Sequence, residues 1–87
     1  MTGPLPPKIR AALERALSAG DPAAARRFHD VLLKSPSVPV PALFRLAMLE
    51  AGSGGFAAAD RLLAVAGKRQ AGDPQILVNH AQVRLAM

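Results

Sequence analysis

The sequence predicts an all-α fold, and three observations lead to this prediction. Apolar side chains recur at the three- and four-residue spacing of a helix, as at Leu77, Ala81 and Leu85. Proline, glycine and aspartate stand where helix ends are expected. No segment alternates apolar and polar residues with an excess of β-branched side chains, so we assign no strand. Five helices follow from this pattern.

Two helices are predicted in the first part of the chain. The first runs from Lys8 to Ala19 and ends at Gly20, since glycine readily takes the left-handed conformation that closes a helix. Asp21-Pro22 then places a capping residue and a proline at the start of the second helix. This helix runs to about Lys34 and stops before Ser35-Pro36, because the residue before a proline is pushed out of the helical region.

Three further helices are predicted after an extended, proline-rich connector at residues 37–41. The third helix fits from about Pro41 to Ala51, and it is followed by a run of glycine and serine. The fourth helix runs from Phe56 to about Gln70. Asp73-Pro74 repeats the combination of a cap and a proline, and it opens a fifth helix that reaches Met87.

Length and composition limit the kind of protein. The 87 residues form one domain, residues 1–87, and the lack of cysteine excludes a disulfide framework and a thiolate metal site. The longest apolar run is far short of the roughly 20 residues that cross a bilayer. Three prolines between Met1 and Lys8 do not fit a signal peptide. We therefore expect a cytoplasmic protein that has no membrane partner and no cofactor.

The charge balance raises the question of nucleic acid. The net charge is +5, with 11 Lys and Arg against 6 Asp and Glu, and a strongly basic chain suggests a nucleic-acid interface. The basic residues are scattered, however, and the longest basic runs are the pairs Arg26-Arg27 and Lys68-Arg69. No aromatic residues interleave with them for base stacking. The pattern argues against a dedicated interface, and weak binding through scattered Arg and Lys stays an alternative.

An internal repeat is visible when the sequence is shifted by 34 positions. Residues 20–34 then align with residues 54–68, and seven of the fifteen pairs are identical. Because alanine accounts for three of these, the pairs Gly20/Gly54, Val31/Val65 and Lys34/Lys68 carry most of the weight. The same shift brings Ile9, Leu43 and Leu77 into one register. The chain is therefore predicted to repeat a pair of helices.

This arrangement resembles the tetratricopeptide repeat (TPR), whose unit is a helix–turn–helix of the same length. The family places a large and then a small residue in its first helix, and a small, a large and a small residue in its second. The matching positions are Leu43 and Ala47, Leu77 and Ala81, and Ala59, Leu63 and Ala66. The family's aromatic residues in the first helix are absent here. The resemblance is therefore to divergent, bacterial-type repeats.

The resemblance implies a right-handed helical-hairpin solenoid of about two and a half TPR-like repeats. Repeat 1 covers about residues 7–36, repeat 2 about 41–70, and a half repeat 74–87. The first helix of each unit lines the concave face of such a solenoid. A protein–protein interaction or scaffold module that binds a peptide or a helix is then the implied function.

The same register gives a candidate partner-binding groove of mixed apolar and basic character. Phe44 and Met48 are four residues apart on one helix, so they share a face and could seat an apolar side chain of a partner. The alternative is that both are core residues. The predicted groove consists of Arg10, Phe44, Arg45, Met48, Val78, Asn79 and Gln82.

The last helix carries an apolar stripe formed by Leu77, Ala81 and Leu85. Within these 87 residues the half repeat has no second helix to cover the stripe. Either the stripe packs wholly against the fourth helix, or it is a surface for self-association through the C-terminal helix, or the chain is a piece of a longer repeat array.

No candidate active site emerges from the residues. His29 and Asp30 are neighbours in sequence, but neighbours on a helix point about 100° apart. The glycine-rich segment at residues 52–55 lacks the Lys-Ser/Thr of a phosphate loop. We therefore expect no enzyme activity in this chain by itself. The rival hypothesis is an N-terminal helical appendage of a larger enzyme, since TPR-like segments precede sulfotransferase and aspartyl/asparaginyl hydroxylase domains.

Overall fold

The computed structural model describes residues 5–87. Within that range the chain forms six helices: α1 (Pro7–Ala19), α2 (Ala23–Arg26), α3 (His29–Lys34), α4 (Val40–Gly52), α5 (Phe56–Arg69) and α6 (Pro74–Ala86). The described residues contain no strand, so the predicted all-α class is confirmed. Four of the five predicted helices begin and end within one residue of their predicted bounds. The prediction about a signal peptide depends partly on residues 1–4, which lie outside the described range.

The predicted second helix is wrong as a continuous element, and the number of helices is six rather than five over the described residues. A turn at Arg27 and Phe28 separates α2 from α3. Phe28 has φ −109° and ψ 11°, and its N–H donates to the carbonyl of Ala25, three residues back. Neither proline nor glycine marks this break. Phe28 packs half-buried against the core, so tertiary packing has overridden local helix propensity.

The helix ends that were predicted from single residues are present. Gly20 has φ 65°, a left-handed conformation that favours glycine, and it closes α1. The Asp73 carboxylate caps α6, since its Oδ1 accepts from the N–H groups of Gln75 at 2.9 Å and Ile76 at 3.2 Å. The predicted cap of the second helix is displaced: Asp21 accepts from the N–H of Ala23 at 3.1 Å, but α2 begins at Ala23 and the residue that precedes it is Pro22.

The connector between α3 and α4 is fastened to the end of α5. Val38 in this connector is fully buried. The guanidinium of Arg69, the last residue of α5, donates to the carbonyls of Val38 and Pro36. Since prolines leave this segment without helical hydrogen bonds, the arginine supplies partners for carbonyl groups that would otherwise lack them.

Helix α5 lies at the centre of the packing. It packs against α4, α6 and α3, while α1 packs against α2 and α4. The buried apolar residues that hold these helices together are mostly Leu and Ala, and the small alanine side chains allow close approach of the helices. They are Leu13, Ala16, Ala25, Leu32, Val38, Leu43, Leu46, Ala47, Ala59, Leu62, Leu63, Ala66, Ile76 and Val83.

Helix α6 buries one face and leaves the other bare. Ile76 and Val83 are 3% and 5% exposed and point into the core. Leu77 and Leu85, by contrast, are 57% and 88% exposed, and Ala81 between them is exposed as well. The alternative in which this stripe packs wholly against the preceding helix is therefore wrong.

Candidate partner-binding surface

Two open clefts lie one after the other between α4 and α6. The first is formed near the beginning of both helices, where Phe44 and Arg45 face Gln75 and Ile76, and it encloses about 190 Å³. Asp73, the cap of α6, also lines this cleft. The two helices run in the same direction, since α5 reverses the chain between them. The rim thus combines one cation and one anion around an apolar floor.

The second cleft continues along the same two helices and encloses about 220 Å³. Met48 contributes from α4, Phe56 from the start of α5, and Asn79, Gln82 and Val83 from α6. An adaptable thioether and an aromatic ring form its apolar part, and two amide side chains form its polar part. We call the two clefts together the α4–α6 seam.

Five of the seven predicted groove residues line this seam, namely Phe44, Arg45, Met48, Asn79 and Gln82. Arg10 and Val78 line neither cleft: Arg10 is exposed on α1, and Val78 is 55% exposed on α6. Phe44 and Met48 also pack against the core, as in the alternative that the sequence left open. Part of each side chain supports the fold, and part faces the cleft.

Two of the seam's polar side chains are held in place by the backbone. Arg45 Nη2 donates to the carbonyl of Leu17 at 3.3 Å, which ties α4 to the end of α1. Asn79 Nδ2 donates to the carbonyl of Gln75 at 2.8 Å, one turn earlier in α6. A polar group that is already oriented loses less freedom when it binds a partner.

A buried charge cluster lies away from the seam, and the sequence analysis missed it. The carboxylate of Glu50 is fully buried and accepts from Arg26 Nη2 at 2.9 Å and from Arg26 Nε at 3.1 Å. The backbone of Gly55 lies so close to this carboxylate that a Cβ at position 55 would be only 2.7 Å from Glu50 Oε1. The sequence does contain a sign of this buried acid. Leu43, Ala47 and Glu50 share one face of α4, so Glu50 is a single acidic residue in an apolar stripe.

His29 completes this cluster as a buried and unsatisfied histidine. Its side chain is 8% exposed, and Nε2 lies 3.2 Å from Glu50 Oε2. This distance suits an ion pair, yet the geometry is not that of a hydrogen bond, so Nε2 has no hydrogen-bond partner. Burial lowers the pKa of His29 below its usual value; Glu50 opposes this shift, and Arg61 and Arg26 add to it. The Glu50 carboxylate in turn raises the pKa of Arg26, chiefly through the hydrogen bond.

We expect the free energy of unfolding to fall as the pH is lowered from about 7.5 to about 5, in part because of His29. Its pKa in the folded chain lies below the value of about 6.5 in an unfolded chain, so protonation favours unfolding. The contribution is present above pH 6.5 or so and is lost as the pH falls toward the folded pKa. Urea unfolding of the wild type and of His29→Gln across this range measures it. Equal pH slopes in the two proteins would show that His29 contributes nothing.

A second ion-pair cluster joins α5 to α6. Asp60 Oδ1 lies 2.6 Å from His80 Nε2 and 3.2 Å from Arg84 Nε. Asp60 follows Arg26 by 34 positions, and Arg84 follows Glu50 by the same number. The two clusters therefore join corresponding positions of the sequence repeat, with the positive and negative members exchanged.

Basic side chains gather on the side formed by α1, α2 and α5. A cleft of about 530 Å³ between α1 and α2 is lined by Lys8, Arg15 and Arg27, together with alanines and Phe28, and by no acidic residue. Arg27 also lines a neighbouring cleft with Arg61 and the Glu50 cluster. The fold thus brings together cations that are scattered in the sequence.

Comparisons with known proteins give no match to this chain, whether with family models, curated proteins or solved structures. Among residues 5–87, no group of three or more His, Cys, Asp or Glu side chains is placed to hold a metal ion. In the same range, no helix has the length and the apolar character needed to cross a bilayer.

Proposed function

We propose that this chain is a protein–protein interaction module, built from TPR-like helical hairpins, that binds a peptide segment of a partner along the α4–α6 seam. The observation that carries the proposal is the alignment of the two clefts. Each has an apolar floor and a polar rim, and the two follow each other along a pair of helices that run in the same direction. Apolar pockets with a few oriented polar groups are what a peptide needs for affinity and for register.

The repeat architecture is supported by the two ion-pair clusters. Arg26–Glu50 joins the second helical segment of one unit to the first helix of the next, and Asp60–Arg84 does the same one unit later. Both members are displaced by the same 34 positions. A repeat whose units stack side by side needs such recurring contacts between neighbours.

The chemistry of the seam favours a peptide with two apolar anchors and a polar backbone between them. Phe44 and Ile76 would take the first anchor, and Met48 and Phe56 the second. The amide groups of Asn79 and Gln82 are suited to hydrogen bonds with the peptide backbone. Since Arg45 and Asp73 offset each other on the rim, we expect little selection by net charge.

Selection of peptides from a random display library tests this proposal. We expect recovered peptides to bind the wild type and to bind Met48→Ala at least about tenfold more weakly, because truncating an apolar anchor in a pocket removes a binding hot spot. Asn79→Ala is the second variant, since it leaves the core intact. Val31→Ala is the matched control, because Val31 is 42% exposed and lies outside the seam. Calorimetric titration gives the affinities, and circular dichroism verifies that each variant is folded.

Two outcomes would contradict the proposal. One is that Met48→Ala and Asn79→Ala bind the peptides as tightly as the wild type. The other is that amide chemical shifts perturbed by a peptide lie on α1 and α2 instead of the seam. Either result would place recognition elsewhere on the molecule.

Binding of nucleic acid is the second candidate, and one observation favours it. The cleft between α1 and α2 gathers Lys8, Arg15 and Arg27 without a lining carboxylate. Binding of this kind weakens steeply as salt rises, because counterions are released from the phosphates. The affinity of a peptide for the seam should depend little on salt, because the seam is nearly neutral. The two candidate functions are distinguished by titrating the wild type and the double variant Arg15→Gln/Arg27→Gln with single-stranded oligonucleotides at two salt concentrations.

A further inference from the structure

We propose that the cleft between α1 and α2 is a second docking surface, which takes an acidic amphipathic helix of a partner protein. The observation that carries this inference is the composition of the cleft, which encloses about 530 Å³ and combines cations with an apolar floor but is lined by no acidic residue. We call it the α1–α2 cleft. It shares no residue with the α4–α6 seam, so the inference does not depend on the peptide proposed there.

Three cations line the α1–α2 cleft. Lys8 and Arg15 belong to α1, and their seven-residue separation places them roughly 10 Å apart along the helix. Arg27, which directly follows α2, contributes the third cation. All three residues are exposed, and none forms an ion pair with a carboxylate among residues 5–87. Their charges are therefore available to an anionic partner.

The floor between these cations is apolar and built mainly from small side chains. It consists of Ala11, Ala12, Ala23, Ala24 and Phe28. Small side chains on two neighbouring helices let a third helix approach closely. Since all α-helices have the same rise per residue, acidic residues two turns apart on a helix laid along α1 meet Lys8 and Arg15. The apolar side of that helix then covers the alanines, as in other complexes in which a groove holds an amphipathic helix.

The apolar floor favours an acidic helix over a nucleic acid, which the same cations would attract. A phosphate backbone has no apolar side to cover the alanines. Binding of single strands also depends on aromatic side chains that stack with the bases. The aromatic residue that lines the cleft, Phe28, is half-buried and packs against the core. An acidic amphipathic helix, by contrast, matches both the cations and the floor.

The charge distribution limits the surface and argues against a second copy of this chain as its occupant. In the neighbouring cleft, Asp30 and Glu50 offset the arginines, so the unopposed positive charge ends at Arg27. A second copy carries a net charge of +5 and would be repelled. Its acidic residues also offer no face, since Glu50 and Asp60 are held in ion pairs and Asp73 caps α6.

Titration with a synthetic helical peptide tests this inference. The acidic probe is a stapled helix of about 15 residues that carries leucine and alanine on one side and glutamates two turns apart beside them. The control peptide has glutamine in place of each glutamate. We expect the acidic probe to shift the amide signals of α1 and α2, and to bind at least about tenfold more tightly than the control peptide, because only the probe pairs with the cations.

Variants of the chain separate docking in the cleft from attraction by net charge. Lys8→Gln/Arg15→Gln should weaken binding of the acidic probe at least about tenfold. The matched control is Lys34→Gln/Lys68→Gln, which removes the same charge at exposed residues that line none of the clefts described above. Ala11→Gln places a longer neutral side chain on the floor, so it should also weaken binding about tenfold.

Three results would overturn the inference. The first is that the acidic probe does not bind at about 1 mM. The second is that Lys34→Gln/Lys68→Gln weakens binding as much as Lys8→Gln/Arg15→Gln, which would leave net charge as the sole cause. The third is that oligothymidylate, or vesicles that contain phosphatidylserine, bind through Lys8 and Arg15 more tightly than the probe. Met48→Ala should bind the probe like the wild type, so these outcomes do not bear on the seam.

Discussion

Replacing Arg26 by glutamine is expected to lower the melting temperature by roughly 10 °C or more. The change removes the guanidinium that neutralises Glu50, whose side chain is fully buried and cannot turn to water. A buried charge that has lost its partner is strongly destabilising, whereas a matched pair of neutral groups is not.

Two further variants separate this explanation from a general loss of packing. The double variant Arg26→Gln/Glu50→Gln should recover most of the lost stability, since it removes the unpaired carboxylate. Arg84→Gln is the control at the corresponding position of the next unit, where Asp60 keeps His80 as a partner and is 21% exposed. Its melting temperature should change little. If the double variant were as unstable as Arg26→Gln alone, the cost would not come from the buried charge.

Replacing Leu43 by alanine is expected to reduce the free energy of unfolding by about 2–5 kcal/mol. Leu43 is 1% exposed and belongs to the buried core, so truncation leaves a cavity among well-packed side chains. The loss is a large part of the roughly 5–15 kcal/mol that holds a typical domain folded. Denaturant unfolding followed by circular dichroism measures it.

The matched control is Leu77→Ala, which makes the same chemical change in the same register of the sequence repeat. Because Leu77 is 57% exposed, its truncation should change stability by no more than about 0.5 kcal/mol. Similar losses in both variants would mean that Leu77 is covered by other side chains in solution.

The helix ends were predictable because they depend on single residues with a direct physical effect. Gly20 and Asp73 act through their own backbone or side chain, so the sequence predicts the helix ends at these residues directly. The break at Arg27 and Phe28 was not predictable, since no local residue causes it and Phe28 is placed by the core. Contacts between distant helices override a local preference in ways that no window of sequence displays.

The candidate site was likewise predictable only where local spacing determines the position of a side chain. Phe44 and Met48 were found because their spacing puts them on one helix face, and that is a local property. The contact of Glu50 with Arg26 spans 24 positions and depends on how α2 and α4 are packed, so the sequence shows an acidic residue in an apolar stripe but does not show its partner. For the same reason, the sequence could not decide whether the apolar stripe of α6 is covered. Which side of a helix is covered is decided by its neighbours.

The exchanged signs of the two ion pairs distinguish the docking place of α4 from that of α6. If α6 settled on α2 in place of α4, Arg84 would confront Arg26; if α4 took the place of α6 on α5, Glu50 would confront Asp60. Like charges brought into contact repel, and specificity often depends on such penalties against the wrong partner. Apolar packing holds both α4 and α6 against their neighbours, so the sign of the ion pair adds a further difference between the two docking places. We expect the reversed signs to disfavour an exchange of α4 and α6, both within one chain and between molecules.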